Sequence, residues 1–270
     1  MKHNKQKVKN FWNEASCGED LLLKKTDKAG YAAQANERYR LEPYIIPFAG
    51  FSDFSGKKVL EIGVGLGADH QRFAEANAIL SGIDLTERAV RHSRYRLKLF
   101  GLNSDLNVND AEKLDFNDNT FDLVYSWGVI HHSPNPQVVV NEILRVLKPN
   151  GIARIMIYHK WSVIGFMLWI RYGLFSLKPL MSMTQVYSNY LESPGTKAYS
   201  IKEANDLFSN FTNIQISTIL THGDLLTSGA GQRHGGLFLS IARNIWPRVF
   251  IRRFLKNSGL FMLINAKKIK

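Results

Sequence analysis

The segment Val59-Leu60-Glu61-Ile62-Gly63-Val64-Gly65-Leu66-Gly67-Ala68-Asp69 constrains the fold of this chain more than any other. An apolar run enters alternating glycines and leaves them into a polar stretch. Glycine belongs where the backbone turns sharply or must approach a ligand with no Cβ in the way. The free N–H groups of a helix starting there can hold a carboxylate or a phosphate. The motif predicts a strand, a tight loop and a helix. By itself it chooses no ligand. Gly63-x-Gly65-x-x-Ala68 also satisfies the dinucleotide pattern, which keeps a nicotinamide-dependent oxidoreductase among the readings.

Downstream, strands and helices alternate. Residues 57–62, 78–84, 106–108, 121–126 and 151–158 read as strands, and 68–76, 87–100 and 136–147 as helices. Gly101 closes the 87–100 helix, and Pro149-Asn150-Gly151 reads as a turn. Strands apolar on both faces argue for a parallel sheet covered on both sides. Residues 201–208 then read as a helix, 214–220 as a strand, 242–256 as a basic helix broken at Pro247, and 260–266 as a last strand. The expected fold class is α/β: a doubly wound, mostly parallel seven-stranded sheet with helices on both faces. Residues 1–55 are expected to form an N-terminal helical cap, with Phe11 and Trp12 as anchors and a helix over 35–44 stopping near Pro43. Residues 56–270 make the main domain, and residues 161–200 a lid-like insertion after the fifth strand.

The chain has 270 residues, 45% of them hydrophobic, and carries 35 Lys+Arg against 23 Asp+Glu, a net charge of +12. Such charge is compatible with nucleic acid, an anionic membrane face or an acidic substrate. No zinc-finger, RNP-type or homeodomain pattern accompanies it, so a solvated basic surface is preferred to a nucleic-acid groove. Residues 161–183 are apolar and aromatic (Trp161, Phe166, Met167, Leu168, Trp169, Tyr172, Phe175) but interrupted by Arg171 and Lys178. Their runs are too short to span a bilayer. They suit a lid over a hydrophobic pocket, a membrane-surface patch or core helices. Cys17 is the single cysteine, which excludes an internal disulfide and a cysteine-based metal site. The N-terminus lacks the apolar core of a secretory signal. A cytoplasmic location is expected, with peripheral membrane contact left open. His222, Asp224, Arg233 and His234 form a later polar cluster. The spacing of His222, Asp224 and His234 matches no metal-ligand pattern, so no metal is expected.

Asp84 follows Gly63 by about twenty residues and ends the second strand, where an acid accepts hydrogen bonds from ribose hydroxyls. The alternative is a cap on the next helix, for which Thr86 is available. Three further motifs follow: Asp110-Ala111-Glu112-Lys113-Leu114, then Phe121-Asp122-Leu123-Val124-Tyr125-Ser126-Trp127-Gly128-Val129-Ile130-His131-His132, then Arg145-Val146-Leu147-Lys148-Pro149-Asn150-Gly151.

In this order the motifs resemble the class I S-adenosylmethionine-dependent methyltransferases over residues 57–158. The oxidoreductase reading leaves the later motifs unexplained. The resemblance implies S-adenosyl-L-methionine as cofactor. It implies that Glu61, Gly63, Gly65 and Gly67 line the methionine part, and that Asp84 binds the ribose with Leu85 beside the adenine. Asp110, Ala111 and Glu112 would frame the adenine, and Ser126, Trp127 and Gly128 would lie beneath the sulfonium. Two positions depart from the pattern: Asn150 stands where glycine is common, and Val64 where a cysteine or alcohol is common.

A sulfonium methyl is already activated toward in-line displacement, so the protein must position the nucleophile and exclude water. A base is needed only if the acceptor carries a proton that must leave. His131 and His132, ending the fourth strand, and Tyr158 and His159, ending the fifth, are the candidates for that proton. The other role open to the histidine pair is ordering the cofactor pocket. Asn36, Arg38, Tyr39 and Arg40 could reach the site from the N-terminal side. The reading is methyl transfer to a small or lipophilic metabolite. Its rivals are an RNA methyltransferase, a nicotinamide-dependent oxidoreductase and a non-catalytic Rossmann-like binding module. Whether the acceptor atom is O, N, S or C, and the oligomeric state, are not written in the sequence.

Overall fold

Apolar residues on both faces of the predicted strands pull two layers of helices onto one sheet. The computed structural model describes residues 2–228 and 243–269, with side chains from residue 5 onward. Seven strands form the sheet: β1 (Lys58–Ile62), β2 (Ile79–Asp84), β3 (Asp105–Val108), β4 (Phe121–Trp127), β5 (Leu147–Tyr158), β6 (Thr212–Ile219) and β7 (Phe261–Lys267). Their order is β3-β2-β1-β4-β5-β7-β6. The first five pair in parallel, and β7 runs antiparallel to both β5 and β6. The strand order reverses between β1 and β4, and in open α/β sheets ligands bind outside the carboxyl ends of the strands at such a point.

The period of two along β1 and β4 sorts the core. Leu60, Ile62 and Val124 face α7 (Pro136–Val146) and α10 (Ile201–Leu207) through Val139, Val140, Ile143 and Leu207. Val59, Leu123 and Tyr125 face the other way. They meet α3 (Lys28–Leu41), α4 (Ile45–Ala49) and α5 (Ala68–Glu75) through Tyr39, Ile45 and Phe73. Before α3 come α1 (Lys2–Glu14) and α2 (Glu19–Leu22). The helix expected over 35–44 is α3. It starts seven residues earlier because Asp27 caps it, its Oδ1 accepting from Gly30 N at 2.7 Å. It ends before Pro43, which cannot continue a helix. Helix α6 (Glu87–Phe100) begins at Thr86, whose hydroxyl accepts from Ala89 N, and stops at Gly101 with φ +70°.

Residues 163–190 form α8 (Val163–Trp169), a π-helical turn (Ile170–Leu174) and α9 (Met183–Tyr190). Val186 and Tyr187 of α9 and Leu168 of α8 pack with Met156 and Leu263 of the sheet. Phe175, Leu177 and Leu180 lie in solvent. The basic segment resumes after Pro247 as α11 (Arg248–Phe254). Residue 242 of that expected helix lies outside the described residues.

One local expectation is corrected. The predicted turn at 149–151 lies inside β5, and the helix before it ends at Val146 rather than 147. Leu147 pairs with Phe121 and Ile152 with Leu123, so the intervening residues bulge out of the ladder. Backbone bonds to Lys268, just past the end of β7, hold the bulge: Asn150 N donates to Lys268 O at 3.2 Å, and Lys268 N to Gly151 O at 2.9 Å. Asn150 takes φ +67°, a left-handed conformation that asparagine tolerates better than most residues.

Candidate active site

The glycine loop sits where β1 meets α5. Gly63 N and Val64 N donate to Ile83 O at 2.7 and 3.2 Å, tying the loop to the end of β2. Gly63, Gly65 and Gly67 all have positive φ (+85°, +50° and +76°). A Cβ on Gly63 would lie 2.1 Å from Val129 Cγ2, and one on Gly67 would lie 3.1 Å from Ser93 Cα. A Cβ on Gly65 would meet nothing within 4 Å, although Gly65 lines the main cavity. Two of these glycines make room for protein, therefore, and Gly65 leaves room for something else. Arg96 braces the loop from behind. Its guanidinium is buried and donates to Leu66 O, Gln71 Oε1, Gln34 Oε1 and Tyr31 O.

A cavity of about 560 Å³ opens from this loop. Its wall includes Glu61, Gly63, Gly65, Gly67, Asp84, Leu85, Asp110, Ala111, Glu112, Trp127 and Gly128. Ser126 is fully buried and stands behind the wall, its Oγ donating to Ile62 O at 3.1 Å and so locking β4 to β1. Among the four proton-transfer candidates, His132 and Tyr158 line the cavity, while His131 and His159 do not.

Asp84 serves both its own turn and the cavity. Oδ1 accepts from Thr86 N and Thr86 Oγ1 at 2.9 and 2.8 Å, and Oδ2 from Gly65 N at 3.3 Å. Burial pushes its carboxyl above the usual range against these bonds. Asp110 and Glu112 are bridged by Lys5 of α1, whose Nζ lies 2.6 Å from Asp110 Oδ2 and 2.6 Å from Glu112 Oε2. Although burial works the other way, bonds from Lys5, Ser133 and Asn135 hold the Glu112 carboxyl down at about 2.

Asp69, in the first turn of α5, collects Arg38 Nη2 (2.7 Å), Arg38 Nε (3.2 Å), Tyr39 Oη (3.0 Å) and Tyr125 Oη (2.9 Å). Arg38 also lines the cavity beside Glu42, whose carboxyl burial pushes up to about 7 against the pull of Arg38. Of the four N-terminal residues expected near the site, Arg38 and Tyr39 reach it in this way. Asn36 and Arg40 are exposed, and Arg40 pairs with Glu37.

The far wall holds a polar cluster that sequence reasoning named only in part. Tyr158 Oη donates to Glu192 Oε2 at 2.7 Å, and His132 Nε2 lies 3.3 Å from the same oxygen. The other nitrogen of His132 faces Ser193 Oγ (2.8 Å) and Thr196 Oγ1 (3.2 Å). Glu192 and its helper residues come from the segment after α9, far along the chain, and no local motif marks them. His131 is fully buried with neither ring nitrogen hydrogen-bonded, its ring 3.9 Å from that of Tyr158. Burial lowers its pKa well below the ordinary value. His159 Nδ1 faces Gly259 O at 3.2 Å. Cys17 is open to the cavity yet surrounded by protein, and that burial, with Glu192 nearby, pushes its thiol up to about 12. Trp12 lies 5.2 Å from the His132 ring, edge to face.

His131, His132 and Glu192 bring ligating atoms within 4.8 Å of one another. His132 and Glu192 are already satisfied by protein partners, so the cluster reads as a hydrogen-bond network. Asp224, of the later polar cluster, accepts from Thr221 N, Thr221 Oγ1, Leu260 N and Ile164 N, which ties three segments together. Arg233 and His234 lie outside the described residues.

The glycine cradle with free space at Gly65, the half-buried acid at Asp84 and the cavity between them fit a nucleoside-bearing cofactor. Residues 60–155 match a family described as "Methyltransferase domain". The chain is 35% identical over 103 residues to the ubiquinone biosynthesis O-methyltransferase of Azoarcus sp. (strain BH72), covering 38% of this chain and 44% of that one. It is 35% identical over 98 residues to the phosphatidylethanolamine N-methyltransferase of Cereibacter sphaeroides, covering 36% and 48%. The chain thus spans less than half the length of these curated relatives. In fold it is similar to Haemonchus contortus phosphoethanolamine N-methyltransferase 2, solved with phosphomonomethylethanolamine and S-adenosylhomocysteine. The TM-score is 0.59 at 15% identity, covering 97% of this chain and 60% of that one. Motif order, sheet topology and family match agree: the chain carries a class I, S-adenosylmethionine-dependent methyltransferase domain at residues 60–155.

Proposed function

We propose that the protein transfers a methyl group from S-adenosylmethionine to a small, lipophilic acceptor. The observation that carries this reading is that one cavity of about 560 Å³ is lined both by the glycine loop with Asp84 and by the Tyr158–Glu192–His132 cluster. Bound S-adenosylmethionine supplies a sulfonium methyl already activated for displacement. Glu61, Gly63, Gly65 and Gly67 would hold its methionine end, Asp84 and Leu85 the ribose and adenine edge, and Asp110, Ala111 and Glu112 the adenine. Trp127 and Gly128 would line the side of the cavity that receives its reactive end, with Ser126 fixing the strand end behind them.

The acceptor occupies the other half, against Ile164, Met167 and Leu168 of α8 and Phe261 of β7. These apolar side chains exclude water and favour a lipophilic body. The relatives named above act on a ubiquinone precursor and a phospholipid amine by their names, which supports that class. Where the acceptor must lose a proton, Glu192 and His132 receive it, with Tyr158 orienting the carboxylate. His131 packs behind Tyr158, and His159 pins β5 to the turn before β7; both act as positioning residues.

The test is calorimetry with S-adenosylmethionine and S-adenosylhomocysteine on wild type and Asp84→Ala, followed by transfer of labelled methyl to a panel of phenols, amines, thiols and lipids. Binding by wild type, weakened at least about tenfold by the substitution, is expected from loss of charge-assisted bonds to the ribose. No binding by wild type overturns the reading.

A further inference from the structure

Asp224 is the last acidic residue in the chain, and residues 160–190 contain no acid at all. Both stretches carry basic residues, and both leave large apolar side chains in water. Leu177 and Leu180 are 91% and 97% exposed, and Val249 of α11 is 83% exposed. Phe166, Ile170, Phe175, Phe250 and Phe254 are exposed beside them. The two segments are neighbours: Ile251 of α11 is buried against Val163, the first residue of α8.

The basic residues divide by role. Lys160 pairs with Glu203, and Arg248 is tied to the backbone oxygens of Leu225, Leu226 and Arg243. Among the described residues, Arg171, Lys178, Arg252, Arg253 and Lys256 make no ion pair with an acid, and Lys178, Arg252, Arg253 and Lys256 are exposed. Unneutralised cations interleaved with exposed Leu, Val and Phe make a surface that is both apolar and positive.

We propose that the outer sides of α8, the turn after it and α11 dock onto an anionic lipid bilayer. A bilayer interface satisfies both chemistries at once, burying the apolar side chains at the acyl boundary and pairing the cations with lipid phosphates and carboxylates. A second copy of this chain would bring like charges together. A polyanion would neutralise the cations but leave Leu177, Leu180 and Val249 in water. The contact is peripheral, since no helix among the described residues is long and apolar enough to cross a membrane. The same α8 turns Ile164, Met167 and Leu168 into the cavity, so docking sets the cavity wall against the lipid surface. The docking claim rests on surface chemistry alone and stands apart from the methyl-transfer reading.

Flotation of the full chain with phosphatidylcholine vesicles, with and without about one-third phosphatidylserine, tests it at low and high salt. Wild type is expected to float with the anionic vesicles at low salt and to be released at high salt. Arg252→Gln with Arg253→Gln should weaken binding about 25-fold, from about fivefold per cation. Leu180→Glu and Val249→Glu, one on each segment, should each weaken it at least about tenfold while leaving the melting temperature unchanged. Absence of wild-type binding to anionic vesicles at low salt overturns the proposal, and so does binding that none of these variants alters. A wild-type dimer in light scattering that Leu180→Glu converts to monomer, without vesicle binding, would assign the face to a second copy instead.

Discussion

His70 Nδ1 lies 2.8 Å from Glu61 Oε2, and burial keeps the pair uncharged, with the proton on the carboxyl. Ser104 Oγ donates to Leu80 O at 2.9 Å, so His70 Nε2 is the donor in its 2.7 Å contact with that hydroxyl. In a neutral ring Nδ1 is then the lone-pair nitrogen and accepts from Glu61. Burial agrees on both sides, raising Glu61 well above the ordinary carboxyl range and lowering His70 to about 3. The pair is a neutral hydrogen bond between an acid and a base, with no net charge. Replacing His70 by Leu keeps the volume and strips Glu61 of its partner. The expected loss is about 1–3 kcal/mol, the cost of an unsatisfied buried polar group. Urea unfolding measures it, and an unchanged midpoint would rule out the assignment.

The glycines of the loop should separate by their surroundings. Gly63→Ala combines a left-handed φ with a 2.1 Å approach to Val129, and about 2–5 kcal/mol of destabilisation is expected from strain and overpacking together. Gly65→Ala meets only the strain, about 1–2 kcal/mol, because nothing lies within 4 Å. It should nonetheless weaken S-adenosylhomocysteine at least about tenfold by occupying space kept for the ligand. Thermal melts and calorimetry on the two variants would expose the error if both lost stability equally.

Acid should weaken the fold from near neutrality. His70 and His131 are held neutral by burial, with folded-state pKa values below the ordinary 6.5. Below pH 6.5 the unfolded chain binds protons that the folded chain does not, so stability is complete above that pH and falls as pH drops toward the folded values. Each such histidine adds a slope of about 1.4 kcal/mol per pH unit within that window. The raised Glu61 opposes part of this where its own folded form keeps a proton that the unfolded one has lost, at pH above about 4.5. His131→Phe keeps a flat ring against Tyr158 and removes one titration. Its stability curve between pH 4 and 6.5 should be shallower than that of wild type by about one proton; parallel curves would mean that His131 titrates normally.

Glu192→Gln preserves shape and removes the charge that Tyr158 and His132 share. For an acceptor that loses a proton, turnover is expected to fall about 100- to 10,000-fold, the range for a general base. Affinity for S-adenosylhomocysteine should stay within about twofold, because Glu192 lies on the acceptor side. Single-turnover rates and calorimetry separate the two. Equal losses in rate and cofactor affinity would demote the cluster to scaffolding.

The glycine-loop half of the cavity was legible because each of its parts ends a strand. Glu61, Asp84 and Gly128 sit at fixed offsets from apolar runs, and the sheet order brings those offsets to one edge. The other half was legible only in part, through His132, Tyr158 and Arg38, because Glu192, Cys17 and Glu42 line the cavity from segments with no common motif. His131 and His132 are adjacent in sequence and their rings lie 4.3 Å apart, yet only His132 lines the cavity, while His131 packs against Tyr158. The 149–151 bulge was hidden for a related reason: a Pro-Asn-Gly string signals reversal locally, and only pairing with β7 reveals that the strand continues through it.

Lys5 closes the molecule over its own binding edge. By bridging Asp110 and Glu112 it ties the first helix to the two acids expected to frame the adenine. A ligand seeking that edge must therefore compete with an internal cation, and its arrival becomes a replacement of one partner by another. That exchange responds to ionic strength, because salt screens the partly exposed ion pairs of Lys5.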